Sequence, residues 1–187
     1  MKKVAVFVIG VGSAWAAVAA GTGVTMGFET DRSRTGGADT RSVFMAPYFN
    51  LGDGLTADVK FEGSRQANVN GMDSQNTNAI QARVAKDARY GNWTVSGRGG
   101  VGQTFSQRDY TFYTLSGGLK YDVASWLALN TSAEHQSAFN RGISASTNTA
   151  KLGLTFTTAA GDVGAKWVEK FGDQRANGVE MTFSRGF

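Results

Sequence analysis

Residues 178–187 read GVEMTFSRGF, and this stretch decides the fold. Val179, Met181, Phe183 and Phe187 share one parity, while Glu180, Thr182, Ser184 and Gly186 share the other. Apolar and polar side chains that alternate with a period of two belong to a strand with one oily and one wet face. The strand ends on an aromatic residue, Phe187.

The opposite end of the chain reads as a processing segment. Lys2 and Lys3 form a positive start, residues 4–11 an apolar core, and Ala17-Val18-Ala19 a small-residue cleavage site. The expectation is a secretory signal peptide over residues 1–20, cut after Ala19 or Ala20. The apolar run is too short and too broken by glycine to favour the alternative, a retained helical anchor. Residues 21–187, about 167 residues, then form a single domain.

Composition narrows the class. The chain has no cysteine, so disulfide staples, which small exported domains often need, do not supply its stability. Its 25 glycines lack the three-residue period of collagen, and a single proline excludes a proline-rich linker. No second apolar run is long enough to cross a bilayer as a helix. The formal charge of +4 falls to +2 once Lys2 and Lys3 are removed, too little for nucleic-acid binding.

Strand-like segments recur along the whole remaining chain, at 24–32, 41–51, 55–65, 79–90, 93–106, 109–122, 127–140, 149–158, 163–172 and 178–187. Each suits a tilted membrane-crossing strand of roughly 9–11 residues or slightly more. Short connections (52–54, 91–92, 123–126, 159–162) nearly alternate with longer polar ones (33–40, 66–78, 141–148, 173–177), and only 107–108 is terse. Tight inner turns and longer outer loops are the habit of outer-membrane barrels, whose strand number is even. The reading is therefore an all-β, transmembrane, antiparallel up-and-down β-barrel of ten strands, with twelve and eight as alternative counts. Both termini face the periplasm and the location is the cell outer membrane. A soluble β-sandwich does not account for the signal segment, the alternating connections and Phe187 together.

The outward parity is apolar: Leu55, Ala57, Val59 and Phe61 in the third strand, Ala150, Leu152, Leu154 and Phe156 in the eighth. Aromatic residues fall near strand ends, with Phe49, Tyr90, Trp93, Tyr121, Trp126 and Phe187 at the inner rim and Phe105, Tyr110, Phe139 and Phe171 at the outer rim. Such girdles sit where amphipathic rings meet headgroups. Pro47 cannot donate to a ladder and is expected at a bulge or a rim. Lys86 and Glu169 fall on the lipid parity and need a bulge, a shifted boundary or a rim position; Arg185 is expected to snorkel.

The inward parity is polar. It carries Asp58, Lys60, Glu62, Arg83, Asp87, Arg89, Arg98, Lys120, Asp122, Glu134, Lys151, Lys166, Lys170 and Glu180. Counting from strand ends places Lys60, Arg83 and Arg98 near mid-height on three consecutive strands, a basic track on one wall, with Gly100 and Gly102 leaving space before Arg98. Arranged Arg and Lys select anions. The same cations could instead pair with Asp58, Glu62 and Asp87 and plug a narrow barrel. Both readings stay open on the sequence.

Glu29-Thr-Asp-Arg, Arg41-Ser-Val-Phe-Met-Ala-Pro-Tyr-Phe and Gly52-Asp-Gly-Leu-Thr-Ala-Asp-Val-Lys-Phe-Glu resemble the opening strands and first turn of the oligogalacturonate-specific porin family. The resemblance covers roughly the first third of the chain after the signal segment. It implies a small monomeric barrel passing acidic oligosaccharides along basic tracks, for which Lys60, Arg83 and Arg98 are the matching candidates. Members of that family have twelve strands, and this chain reads as ten.

Enzyme chemistry finds little support. The single histidine, His135, shares the lipid parity of Leu127 and Leu129, away from Glu134 and Ser132. A base must reach its nucleophile. There is no Gly-x-Ser-x-Gly elbow, no phosphate loop around Val101-Gly-Gln and no metal-ligand spacing, so no cofactor is expected. The expected function is a porin-like channel for passive diffusion of small polar or anionic solutes, acidic oligosaccharides among them. The alternative is a closed-lumen barrel with a structural or adhesive role through its external loops. Expected partners are outer-membrane lipids, the barrel assembly machinery and the solutes.

Overall fold

The computed structural model describes residues 21–34, 38–67, 75–106, 109–140, 143, 145–173 and 175–187; residues 1–20, where a signal peptide is expected, and parts of every longer connection lie outside them. Ten strands follow one another: β1 (Thr22–Ser33), β2 (Thr40–Gly52), β3 (Leu55–Gln66), β4 (Gln75–Tyr90), β5 (Trp93–Phe105), β6 (Thr111–Ala124), β7 (Leu127–Ala138), β8 (Thr147–Thr158), β9 (Gly161–Gly172) and β10 (Ala176–Gly186). Each pairs antiparallel with its sequence neighbour, and β10 returns to pair with β1, closing an up-and-down barrel. In hydrocarbon an unpaired backbone group has no water to bond, so a membrane sheet must close. Beyond the β1–β10 ladder, the Phe187 N–H donates to the Thr22 carbonyl at 2.8 Å, and the Gly21 N–H donates to the Phe187 carbonyl at 3.4 Å.

The register fixes the barrel's shape. A path perpendicular to the strands runs from Gly21 through Asn50, Thr56, Ala85, Arg98, Ser116, Glu134, Thr149, Lys170 and Ala176. It returns to β1 at Ser33, twelve residues beyond its start. A closing shift of twelve over ten strands gives a strand tilt of about 40° and a backbone radius of about 10 Å.

The two faces separate as the period of two requires. On β10 Met181 is 59% exposed and Glu180 5%. Met26 and Phe28 of β1 face outward, while Glu29 and Asp31 are buried. At the inner rim Trp93 packs on Tyr121 with ring centres 4.7 Å apart, and Trp126 stacks on Phe156 at 6.3 Å. At the outer rim Tyr113 meets Phe139 at 5.4 Å. Tyr110, expected in that girdle, instead turns to the inner side, edge-on to the buried ring of Phe112 at 6.2 Å. It shares the parity of Phe112, and β6 begins only at Thr111.

The positions that fitted poorly find local solutions. Pro47 makes no bulge. Its β2–β3 ladder passes from Met45↔Phe61 to Tyr48↔Asp58 in unchanged register, and the irregularity falls at Asn50/Gly52. Lys86 lies opposite Leu55 at the base of β3 and donates to the Asp53 carbonyl of the adjoining turn. Glu169 pairs with Arg34 at 2.6 Å. The Arg185 guanidinium lies 5.8 Å from the centre of the Phe187 ring.

The hairpin at Gly91-Asn92 joins Tyr90 and Trp93 directly, and Gly91 takes a φ of 60°, which suits glycine. A cysteine at Asn92 should therefore stay silent to an impermeant thiol reagent on intact cells. One at Ser74, in the connection outside the described residues, should label. Labelling at Asn92 alone would reverse the orientation.

Candidate functional site

The candidate site is the inner face of the barrel. Because a horizontal ring climbs about 1.2 residues per strand against the register, residues displaced two positions on successive strands stay nearly level. Lys60 lies opposite Gln81, two residues from Arg83; Arg83 lies opposite Gly100, two residues from Arg98. The three cations therefore sit within about 4 Å of one level on β3, β4 and β5.

Their surroundings differ. Arg83 Nε donates to Asp58 Oδ1 at 2.6 Å, with both side chains about a tenth exposed. Lys60 pairs with Glu62 at 2.5 Å and lies 4.7 Å from the centre of the Phe44 ring. Arg98 makes no salt bridge among the described residues. It is exposed to the lumen and interacts at longer range with Arg83, Asp58, Glu134 and Asp87. Its direct cross-strand neighbours on the inner face are the small residues Ala85 and Ser116.

The glycines near Arg98 do not leave empty space in front of it, contrary to the sequence expectation. A Cβ at Gly100 would meet Arg83 Cγ at 2.7 Å and Gln81 Nε2 at 2.9 Å, and one at Gly102 would meet the Phe112 ring at 2.5 Å. Those side chains lean across β5, and Gln81 reaches over it to donate to Thr114 Oγ1 on β6 at 2.5 Å. On its β6 side Arg98 faces small residues: Ser116 is its partner, and a Cβ at Gly118 would meet Ser96 Oγ at 2.7 Å and the Thr131 carbonyl oxygen at 3.3 Å.

The facing wall is filled by charge. Glu29 of β1 lies directly opposite Glu180 of β10 across the closing seam. Lys151 of β8 reaches both, at 3.1 Å to Glu29 and 2.6 Å to Glu180. Lys166 meets Glu180 at 3.3 Å, and Lys170 meets Glu29 at 2.6 Å and also binds Asp31. Glu29 and Asp31 join the inward charges expected from the sequence. The signal was the apolar parity of Met26 and Phe28, which leaves residues 29 and 31 inside. Nearer the inner rim, Asp122 takes Arg89 at 3.2 Å and Lys120 at 3.1 Å. Asp87 and Glu134 make no salt bridge among the described residues.

His135 is on the outer face. Its Nδ1 lies 2.9 Å from Asn148 Oδ1 and its ring 5.9 Å from Tyr113. Glu134 and Ser132 are on the other face of β7, so they do not assemble with it.

Among solved structures, the β domain of the Bordetella autotransporter BrkA matches with a TM-score of 0.56 at 10% identity, covering 89% of this chain and 99% of that one. An outer-membrane channel from Pseudomonas putida F1 gives 0.53 at 11% identity, covering 91% and 97%. The fold is that of an outer-membrane β-barrel. The translocator domain of the Neisseria meningitidis autotransporter NalP agrees, at 0.52 and 14% identity over 95% and 92%. No protein-family model matches the chain, and no curated protein matches it in sequence. At these identities the likeness is one of fold.

Proposed function

We propose that the barrel is a monomeric outer-membrane channel for passive diffusion of small polar or anionic solutes, carboxylate-bearing oligosaccharides among them. The observation that carries this reading is Arg98. It is a guanidinium at mid-height, open to the lumen, without a salt bridge among the described residues, beside a wall of serine and glycine. With Lys60 and Arg83 each held by a carboxylate, Arg98 is the cation of the track without an ion pair among the described residues, and Glu134 and Asp87 act on it only at longer range. A solute carboxylate passing there meets five N–H donors in a fixed fork.

Single-channel recording in planar bilayers tests it. Wild type should show a modest anion preference that weakens at high salt through screening. Arg98→Gln should lower that preference by itself. Replacing Lys60, Arg83 and Arg98 all by Gln should go further and favour cations, because Asp58 and Glu62 then lose their partners. An unchanged preference in both variants would place selectivity elsewhere.

A second reading is supported by the ion pairs themselves. The seam cluster with the Arg83–Asp58 and Lys60–Glu62 pairs supports a reading in which the interior is held shut by its own charges. No conductance from well-folded wild-type barrel would favour that closed barrel, with its role in the external loops.

A further inference from the structure

The outward face at the outer rim carries a second group of cations, unrelated to the lumen. Arg41 of β2 lies directly opposite Arg65 of β3. Arg41 also lies opposite Thr30 of β1, which puts Arg32 on the diagonal of the same face. Cβ atoms of directly opposed residues are about 5 Å apart, and diagonal ones about 7–8 Å. With the climb of about 1.2 residues per strand, the three arginines lie within about 3 Å of one level.

All three are exposed, and none makes a salt bridge among the described residues. Like charges directly opposed across two strands destabilise a sheet unless an anion lies between them. Among the described residues, two nearby acids have other partners. Asp39 Oδ1 accepts from the Ser33 backbone N–H at 3.3 Å, and Glu169 is held by Arg34. Below the arginines the same face turns apolar, with Val43 next to Arg41 and Phe28 and Phe61 one outward position further down, past Thr30 and Gly63; Val43 is 51% exposed. The surface is thus amphipathic along the membrane normal, with guanidinium groups above and hydrocarbon contact below.

We infer that Arg32, Arg41 and Arg65 form a docking surface for a phosphorylated glycolipid of the outer leaflet. Its phosphates lie between the guanidinium groups and its acyl chains lie against Phe28, Val43 and Phe61. Guanidinium groups bind phosphate through paired N–H donors. A zwitterionic phospholipid offers less net charge to three adjacent cations, and a free anion would forgo the apolar strip below. The inference rests on the outer-membrane fold with its long connections outward, and it is independent of whether the lumen conducts.

The test is native mass spectrometry of the refolded full barrel in detergent, with diphosphoryl lipid A, phosphatidylethanolamine or inorganic phosphate added separately. Wild type should retain diphosphoryl lipid A in preference to phosphatidylethanolamine, with excess inorganic phosphate failing to displace it. The Arg32→Gln/Arg41→Gln/Arg65→Gln variant should retain at least tenfold less, while keeping heat-modifiable gel mobility and wild-type ion selectivity. Three results would overturn the inference. They are equal lipid A retention by the triple variant, equal retention of phosphatidylethanolamine by wild type, and displacement by inorganic phosphate. The lipid comparison on wild type needs no variant. Loss of conductance would bear on the channel reading alone.

Discussion

Replacing Lys151 by methionine is expected to destabilise the closed barrel by about 3 kcal/mol, at the low end of what removing one partner from a buried ion pair costs. Lys151 reaches from β8 to Glu180 on β10 and Glu29 on β1, and its own side chain is a fifth exposed. Glu29 and Glu180 are direct cross-strand neighbours at the seam, and without Lys151 their mutual repulsion is only partly offset by Lys170 and Lys166. The seam pairs the first strand with the last, so it joins the segments most distant in sequence. Urea unfolding of the protein in lipid vesicles, followed by heat-modifiable mobility, measures the effect. The Lys151→Met/Glu180→Gln double variant should recover part of the loss, since it removes one of the two facing acids. An unchanged midpoint in Lys151→Met would show that the lumen solvates these acids without help, and that the seam is held by its backbone ladder alone.

Deleting Phe187 is expected to reduce the yield of closed barrel at least tenfold while leaving export intact. Phe187 joins the termini through two backbone hydrogen bonds, to Thr22 and from Gly21, and its ring lies under the Arg185 guanidinium. Its loss frays the β1–β10 pairing at the inner rim and exposes edge groups that hydrocarbon cannot satisfy. The measurement is the ratio of compact to denatured mobility in unboiled gels, set against total protein in the envelope fraction. Wild-type amounts of the compact form would end the idea.

Much of this architecture was legible in the chain because the physics behind it is local. A strand in a membrane barrel meets lipid on one side and water or polar neighbours on the other. The choice of side therefore repeats every second residue and is written into GVEMTFSRGF and the nine segments before it. Short turns such as Gly91-Asn92 are local too. A reading of ten antiparallel strands, with eight and twelve as alternatives, rests on that alternation together with the alternating lengths of the connections, and parity marks most of the inward charges, though Glu29 and Asp31 escaped it. Boundaries drifted by up to four residues, as at the start of β4, where Gln75 to Asn78 alternate too weakly to announce a strand.

Pairing between strands is a different kind of information. Alternation says that Lys60, Arg83, Glu29, Glu180 and Lys151 point inward, but not which of them meet. That depends on the twelve-residue closing shift, a sum over all ten registers that no segment carries by itself. The shift puts Glu29 beside Glu180 and brings Lys151 across to both. It also leans Arg83 and Gln81 over Gly100, and so decides that Arg98, rather than the whole basic track, is left without a carboxylate. On the outer face the same registers bring Arg41 level with Arg65 and Arg32. The barrel and the two faces of every strand are written segment by segment, because solvent contrast acts residue by residue. Which charges cancel and which stay without a partner is settled between strands, because it rests on distances between segments far apart in the chain.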